Sequence, residues 1–151
     1  MTEVLFYHLT QDKLEKALPT LLEKSVAKGW NVVVQAASSD LTARLDEHLW
    51  TYRADSFLAH GKAGSDKPDP AQCPIWLTTD TEDPNAAAIR FIVEGAIPAQ
   101  VERYERVIYM FDGFDENAVA AARERWKIEK AAGHTLTYWQ QDEAGRWAKK
   151  A

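Results

Sequence analysis

Val4-Leu5-Phe6-Tyr7-His8-Leu9, closed by Thr10-Gln11-Asp12, decides how the rest of the chain is read. A short run of strand formers ending in a turn-forming cluster predicts a buried first strand. Leu14, Leu18, Leu21, Leu22 and Val26 then recur at helical spacing, and Gly29 supplies a left-handed stop. Pro19 lies inside that helix, where its missing N–H predicts a kink. Trp30-Asn31-Val32-Val33-Val34-Gln35-Ala36-Ala37 reads as a second strand, and Ser38-Ser39-Asp40 offers caps for a helix carrying Leu41, Leu45, Leu49 and Trp50. Strand followed by helix, twice over, predicts a parallel sheet, because parallel neighbours need a crossover connection.

The rhythm breaks over 51–72, where Gly61, Gly64, Pro68 and Pro70 lie among polar residues together with Tyr52, Phe57 and Leu58. So long a loop in a small domain predicts a functional or mobile segment. Strands resume at Pro74-Ile75-Trp76-Leu77-Thr78-Thr79, Ile89-Arg90-Phe91-Ile92-Val93 and Arg106-Val107-Ile108-Tyr109-Met110-Phe111-Asp112. A helix follows from about Asp115 to Ala132, and Leu136-Thr137-Tyr138-Trp139 closes the sheet. The expected fold is a single α/β domain over 1–140, with a mainly parallel sheet flanked by helices on both faces. Residues 141–151 are expected to form a polar, basic extension that is loosely held, carrying Arg146, Lys149 and Lys150.

At 151 residues the chain is the size of one domain with a substantial core. Twenty-three acidic residues against 18 basic ones give a formal charge of −5, which disfavours direct duplex DNA binding and makes any cationic site local. Cys73 is the lone cysteine, and no run approaches the ~20 apolar residues that span a bilayer. The start of the chain lacks the basic and apolar pattern of an export signal. A cytoplasmic protein without membrane attachment is expected.

Doubly wound sheets bind nucleotides through a glycine-rich turn after the first strand, where backbone amides close on a pyrophosphate. Here that turn is Leu9-Thr10-Gln11-Asp12, without glycine and with an acid where the anion would dock. The lysine and hydroxyl of a phosphate loop are also missing from the glycine-containing segments. His8, His48, His60 and His134 lack zinc-site spacing. No cofactor, metal or catalytic residue is therefore expected. Asp80, Glu82, Asp83, Asp112 and Asp115 follow predicted strands, where α/β active sites form, yet Asp83-Pro84-Asn85 and Asp112-Gly113-Phe114-Asp115 are ordinary turn and cap sequences. A small doubly wound enzyme using such carboxylates is one alternative reading.

The last helix carries a different signal. Arg123, Trp126, Lys127 and Lys130 recur three or four residues apart, a basic and aromatic stripe within an acidic protein. Arginine offers a planar fork for a carboxylate and Trp126 a rigid apolar wall, while Lys127 and Lys130 add charge. The stripe suits an acidic peptide with an apolar anchor. Stacking of a single-stranded base on Trp126 is a further alternative, disfavoured by the acidic whole. Trp50, Tyr52 and Phe57 form a second aromatic group, either core or a separate protein interface.

These features together resemble the chi subunit of bacterial DNA polymerase III, a clamp-loader accessory protein. The likeness spans most of the chain. It is carried by Phe6-Tyr7, by Arg44-Leu45-Asp46-Glu47-His48-Leu49-Trp50, by Ser56-Phe57-Leu58-Ala59-His60, and by Ala122-Arg123-Glu124-Arg125-Trp126-Lys127 with Ala132-Gly133 behind it. The resemblance implies a nucleotide-binding-like α/β fold that binds no nucleotide. It further implies a non-enzymatic adaptor that holds the acidic C-terminal tail of single-stranded DNA-binding protein. Arg123, Trp126 and Lys127, with Leu136, would form that pocket, and Lys130 would add charge. The tail's terminal carboxylate would meet Arg123 or Lys127, and its last apolar side chain would lie against Trp126. Trp50 and Phe57, with Tyr52 beside them, would meet the psi subunit that joins chi to the clamp loader, a surface used by a repair helicase in some relatives. Many relatives carry tyrosine where this chain has Trp126, and the chain also runs past the family's usual end, adding residues 140–151.

Overall fold

A computed structural model describes residues 2–51, 60–63 and 73–151, with the backbone alone for Trp50 and Thr51. The elements run β1 (Glu3–Leu9), α1 (Leu14–Ala27), β2 (Val32–Gln35), α2 (Ser39–Thr51), β3 (His60–Lys62), β4 (Ile75–Thr78) and β5 (Ile89–Ile92). A 3-10 turn at Val101–Arg103 precedes β6 (Arg106–Asp112), α3 (Glu116–Ala131), β7 (Thr135–Gln141) and β8 (Trp147–Lys149).

The strands form one sheet in the order β3-β4-β2-β5-β6-β1-β7-β8. Every pairing is parallel except β7 with β8. β1 pairs with β6 on one side and β7 on the other, placing Leu5 beside Ile108 and Thr137. The first strand, which orders the sequence reading, is thus also interior to the sheet.

Strand alternation divides the core into two layers. Leu5, Leu9, Val32, Val34, Leu77, Phe91 and Met110 face α1 and α2, packing with Leu18, Leu22, Leu41 and Leu45. Val4, Phe6, Val33, Val107, Tyr109 and Phe111 belong to the opposite layer, with Ala118, Val119, Ala122 and Trp126 of α3. Helices therefore cover both faces, and strands buried on both sides read as nearly continuous apolar runs. Leu18, Leu22 and Leu45 are fully enclosed, each contributing about 2 kcal/mol of burial.

Pro19 lies buried inside α1, as the sequence places it. Two local expectations change. The segment 51–72 contains a strand, β3, parallel to β4. Gly61 within it faces the Trp76 ring and Cys73 Sγ, where a Cβ would sit 2.7 Å and 2.9 Å away, so tight packing explains a glycine that reads as a loop signal. The tail is not loosely held. Residues 142–146 form a turn in which Asp142 Oδ1 accepts from the N–H groups of Ala144 and Arg146, each at 2.9 Å, and Gly145 takes φ 82°. The Arg146 N–H is the main reason the Asp142 carboxyl is held below its ordinary range. β8 then pairs with β7, and Trp147 stacks on Tyr7 with centroids 4.7 Å apart.

β1 and β6 are neighbours whose helices leave to opposite faces, so a crevice opens at their carboxyl ends. The Thr10-Gln11-Asp12 turn at that crevice is occupied from within. The N–H groups of Thr10, Gln11 and Asp12 all donate to Gln141 Oε1, at 3.2, 3.0 and 3.1 Å. Gln141 Nε2 in turn donates to Asp12 Oδ2 at 2.9 Å. Amides of the kind that close on phosphate in nucleotide-binding relatives of the fold are here engaged by one buried carboxamide from β7.

Candidate functional site

α3 begins at Asp115, whose Oδ1 accepts from the N–H groups of Asn117 and Ala118, and ends at Gly133 with φ 86°. Between these caps, alanines and long-chain residues supply strong helix propensity. Its charged residues divide by direction. Arg125 turns inward, donating to buried Glu129 Oε1 and to the Tyr109 hydroxyl, with its guanidinium over the Tyr109 ring. Glu129 also meets His134 at 3.7 Å. The Tyr109 hydroxyl is pushed well above its ordinary range, first by burial and then by the Glu129 charge.

Arg123 and Lys127 turn outward on the other seam. With Trp126, Val119, Ala120 and Tyr138 they line a cavity of about 560 Å³ between α3 and the β7 edge. Arg123 is exposed and makes no ion pair among the described residues. Lys127 reaches Glu124 at 3.3 Å, an exposed contact worth little. Trp126 is half-buried and held by an aromatic platform, its ring 5.3 Å from Phe6 and 6.0 Å from Tyr138 between centroids. Phe6 stacks in turn on Tyr109 at 4.9 Å. The Trp126 indole N–H has no acceptor among the described residues. The cavity thus joins a fixed apolar wall and a guanidinium that makes no ion pair among the described residues.

Tyr138 completes the wall, with His8 hydrogen-bonded to it from β1. His8 Nδ1 lies 2.6 Å from the Tyr138 hydroxyl, which fixes the phenol beside Trp126. Burial lowers the His8 pKa and the positive charge of Arg123 lowers it further, partly opposed by Asp112. Burial raises Tyr138, and Arg123 opposes that rise. β8 contributes as well: the Tyr138 N–H donates to the Ala151 carbonyl at 3.2 Å, Lys150 N–H to the Tyr138 carbonyl at 2.7 Å, and Ala151 lines the cavity.

Of the residues expected at this site, Arg123, Trp126 and Lys127 come together. Leu136 is half-buried against the same core layer as Trp126, and Lys130 is exposed further along the helix; neither lines the cavity. Tyr138 and Ala151, which do line it, were missed. Period-two alternation places Tyr138 on the same face as Leu136, a signal available in the sequence. The reach of β8 was not. The side chain of Trp50, together with Tyr52 and Phe57, lies outside the described residues.

Asp80 and Asp112, the pair of the alternative enzyme reading, do not converge. Asp80 follows β4 and Asp112 ends β6, three strand spacings apart, or roughly 14 Å. Asp80 Oδ1 accepts from Thr81 N–H and Asp112 Oδ1 from Phe114 N–H, Asp83 pairs with Arg103 at 3.6 Å, and Asp115 caps α3. Among the described residues no three His, Cys, Asp or Glu side chains gather as metal ligands, and no helix is long and apolar enough to cross a membrane.

The family model of the DNA polymerase III chi subunit, HolC, matches residues 1–137. The chain belongs to this family. Among curated proteins, a probable DNA polymerase III subunit chi from Rickettsia prowazekii is 27% identical over 111 residues, which cover 74% of this chain and 66% of that protein. The DNA polymerase III subunit chi of Pseudomonas aeruginosa is 26% identical over 140 residues, covering 90% of this chain and 94% of that one. The chi match ends within β7, so it takes in α3, Leu136 and the first-strand platform, while Tyr138 and β8 lie beyond it.

Proposed function

We propose that this chain is a non-catalytic accessory subunit of the replicative DNA polymerase, acting in the cytoplasm by holding the acidic C-terminal tail of single-stranded DNA-binding protein against α3. One observation carries this reading: Arg123, exposed and without an ion pair among the described residues, stands beside the fixed Trp126 ring in an open cavity. A peptide carboxylate suits the guanidinium fork, and the peptide's last apolar side chain suits the indole wall. Membership of the chi family supports the same reading. The contact is charge-assisted and solvent-accessible, so rising salt weakens it.

The second half of the reading is a link to the clamp loader through psi, or to a repair helicase at the same surface, by Trp50, Tyr52 and Phe57. Trp50→Ala should remove that partner from a pull-down while leaving the tail contact intact.

The first test is fluorescence anisotropy with a labelled acidic C-terminal tail peptide. Arg123→Ala should weaken binding by roughly 10- to 100-fold, the range expected for a charged hydrogen bond. A peptide lacking its final residue should also bind far less well. Equal affinity of wild type and Arg123→Ala removes the pocket from this helix.

A further inference from the structure

Among the described residues, the large apolar side chains left exposed are Ile97, Phe114 and Ile128, at 70%, 80% and 51% exposure. All three line one groove of about 980 Å³, on the side of α3 away from the Arg123 cavity. The groove starts at the first turn of α1, crosses the carboxyl ends of β1 and β6, and continues between α3 and the 93–97 segment to Ile128. Phe114 and Ile128 stand about 21 Å apart along the helix, at 1.5 Å per residue, with Ala118 and Ala121 between them. Scattered exposed apolar residues need no explanation, but large ones gathered around a single groove mark an interaction surface.

The rim specifies the charge of the occupant. Six carboxylates line the groove (Asp12, Glu15, Glu94, Asp112, Asp115 and Glu124) against three cations, Lys13, Arg44 and Arg125. Arg44 is paired with Glu15 and Arg125 with Glu129, whereas Glu94, Asp112 and Asp115 make no ion pair among the described residues. The field favours a cationic guest. It disfavours a second copy of this chain, whose formal charge is −5.

The backbone decides the form of the guest. β1, β5 and β6, the strands that reach the groove, are interior to the sheet with both edges paired, so an extended peptide finds no free strand edge. A guest buried there must satisfy its own amides, which a helix does. The amides at the crevice are held by Gln141, and the carboxylates without an ion pair oppose a phosphate. We infer that this groove docks a basic amphipathic helix of a protein partner, with apolar side chains set against Phe114, Ile128 and Ile97 and lysine or arginine along the acidic rim.

The inference is independent of the tail-binding reading, and the experiment keeps them apart. An isotope-labelled full-length protein is titrated with a synthetic helical peptide of leucine and lysine, and separately with the same peptide carrying glutamate for lysine. The lysine peptide should shift resonances of Ala118, Ala121 and Ile128. Phe114→Ser and Ile128→Ser, both at exposed positions, should each weaken it about tenfold while leaving the acidic tail peptide's affinity unchanged. Equal binding of the glutamate peptide overturns the inference, as does unchanged binding by both variants. Concentration-dependent dimerisation abolished by Phe114→Ser would assign the groove to a second copy instead.

Discussion

Two arginines stand two residues apart on α3 and do opposite things. Arg125 points inward, where Glu129 and Tyr109 engage it. Arg123 points outward into a cavity and meets no carboxylate among the described residues. A buried pair adds little net stability relative to apolar packing, but removing one partner strands a charge. An exposed guanidinium adds almost nothing to the fold and is available to a guest. Composition alone cannot separate the two, since both belong to the same basic run, Arg123-Glu124-Arg125-Trp126-Lys127. What separates them is the direction each takes from the helix.

The comparison predicts unequal consequences. Arg125→Ala should lower stability by about 3 kcal/mol, because Glu129 is left buried without its guanidinium partner, facing only His134 and the Tyr109 hydroxyl. Pairing Arg125→Met with Glu129→Gln should recover most of that loss, and thermal unfolding of the single and double variants measures it. No recovery would mean that Arg125 acts by packing alone. Gln141→Ala should cost roughly 2 to 3 kcal/mol in chemical denaturation by releasing three amides of the first turn, without affecting tail binding directly. Arg123→Ala should change the unfolding midpoint hardly at all, within about 0.5 kcal/mol, despite its large effect on the tail peptide. A substantial loss of stability there would erase the distinction between the two seams.

The smallest effect is in pH. His8 has a lowered pKa in the folded protein, so the unfolded chain binds the proton more readily. Stability should therefore fall as pH drops from neutral through the imidazole range toward the folded value, and it should be unaffected by His8 above the unfolded pKa. His8→Gln should flatten that part of the stability profile. Burial contributes most to its depth, with Arg123 adding to it and Asp112 opposing it.

The parallel sheet was legible because strand and helix alternate and each apolar run has the period of its element, as in Val4 to Leu9 and Leu14 to Val26. β3 and β8 were not, because three-residue strands carry too little pattern: Gly61 reads as a loop and the polar residues around Trp147 as a tail. Gln141 could not be found by any local rule, since its acceptors and donors lie about 130 positions away in sequence. At the site, helical spacing puts Arg123, Trp126 and Lys127 on one stripe, and all three line one cavity, whereas Lys130 and Leu136 do not line it. Tyr138 depended on pairing between β1, β7 and β8, a nonlocal fact.

The central claim concerns the open seam of α3, and the indole N–H of Trp126 reports on it most directly. Its resonance should move progressively during titration of labelled protein with the acidic tail peptide, as the wall acquires a neighbour. In Arg123→Ala the same movement should require a far higher peptide concentration. Saturable binding of the peptide with the Trp126 indole signal unmoved would contradict the account, placing the tail elsewhere on the molecule.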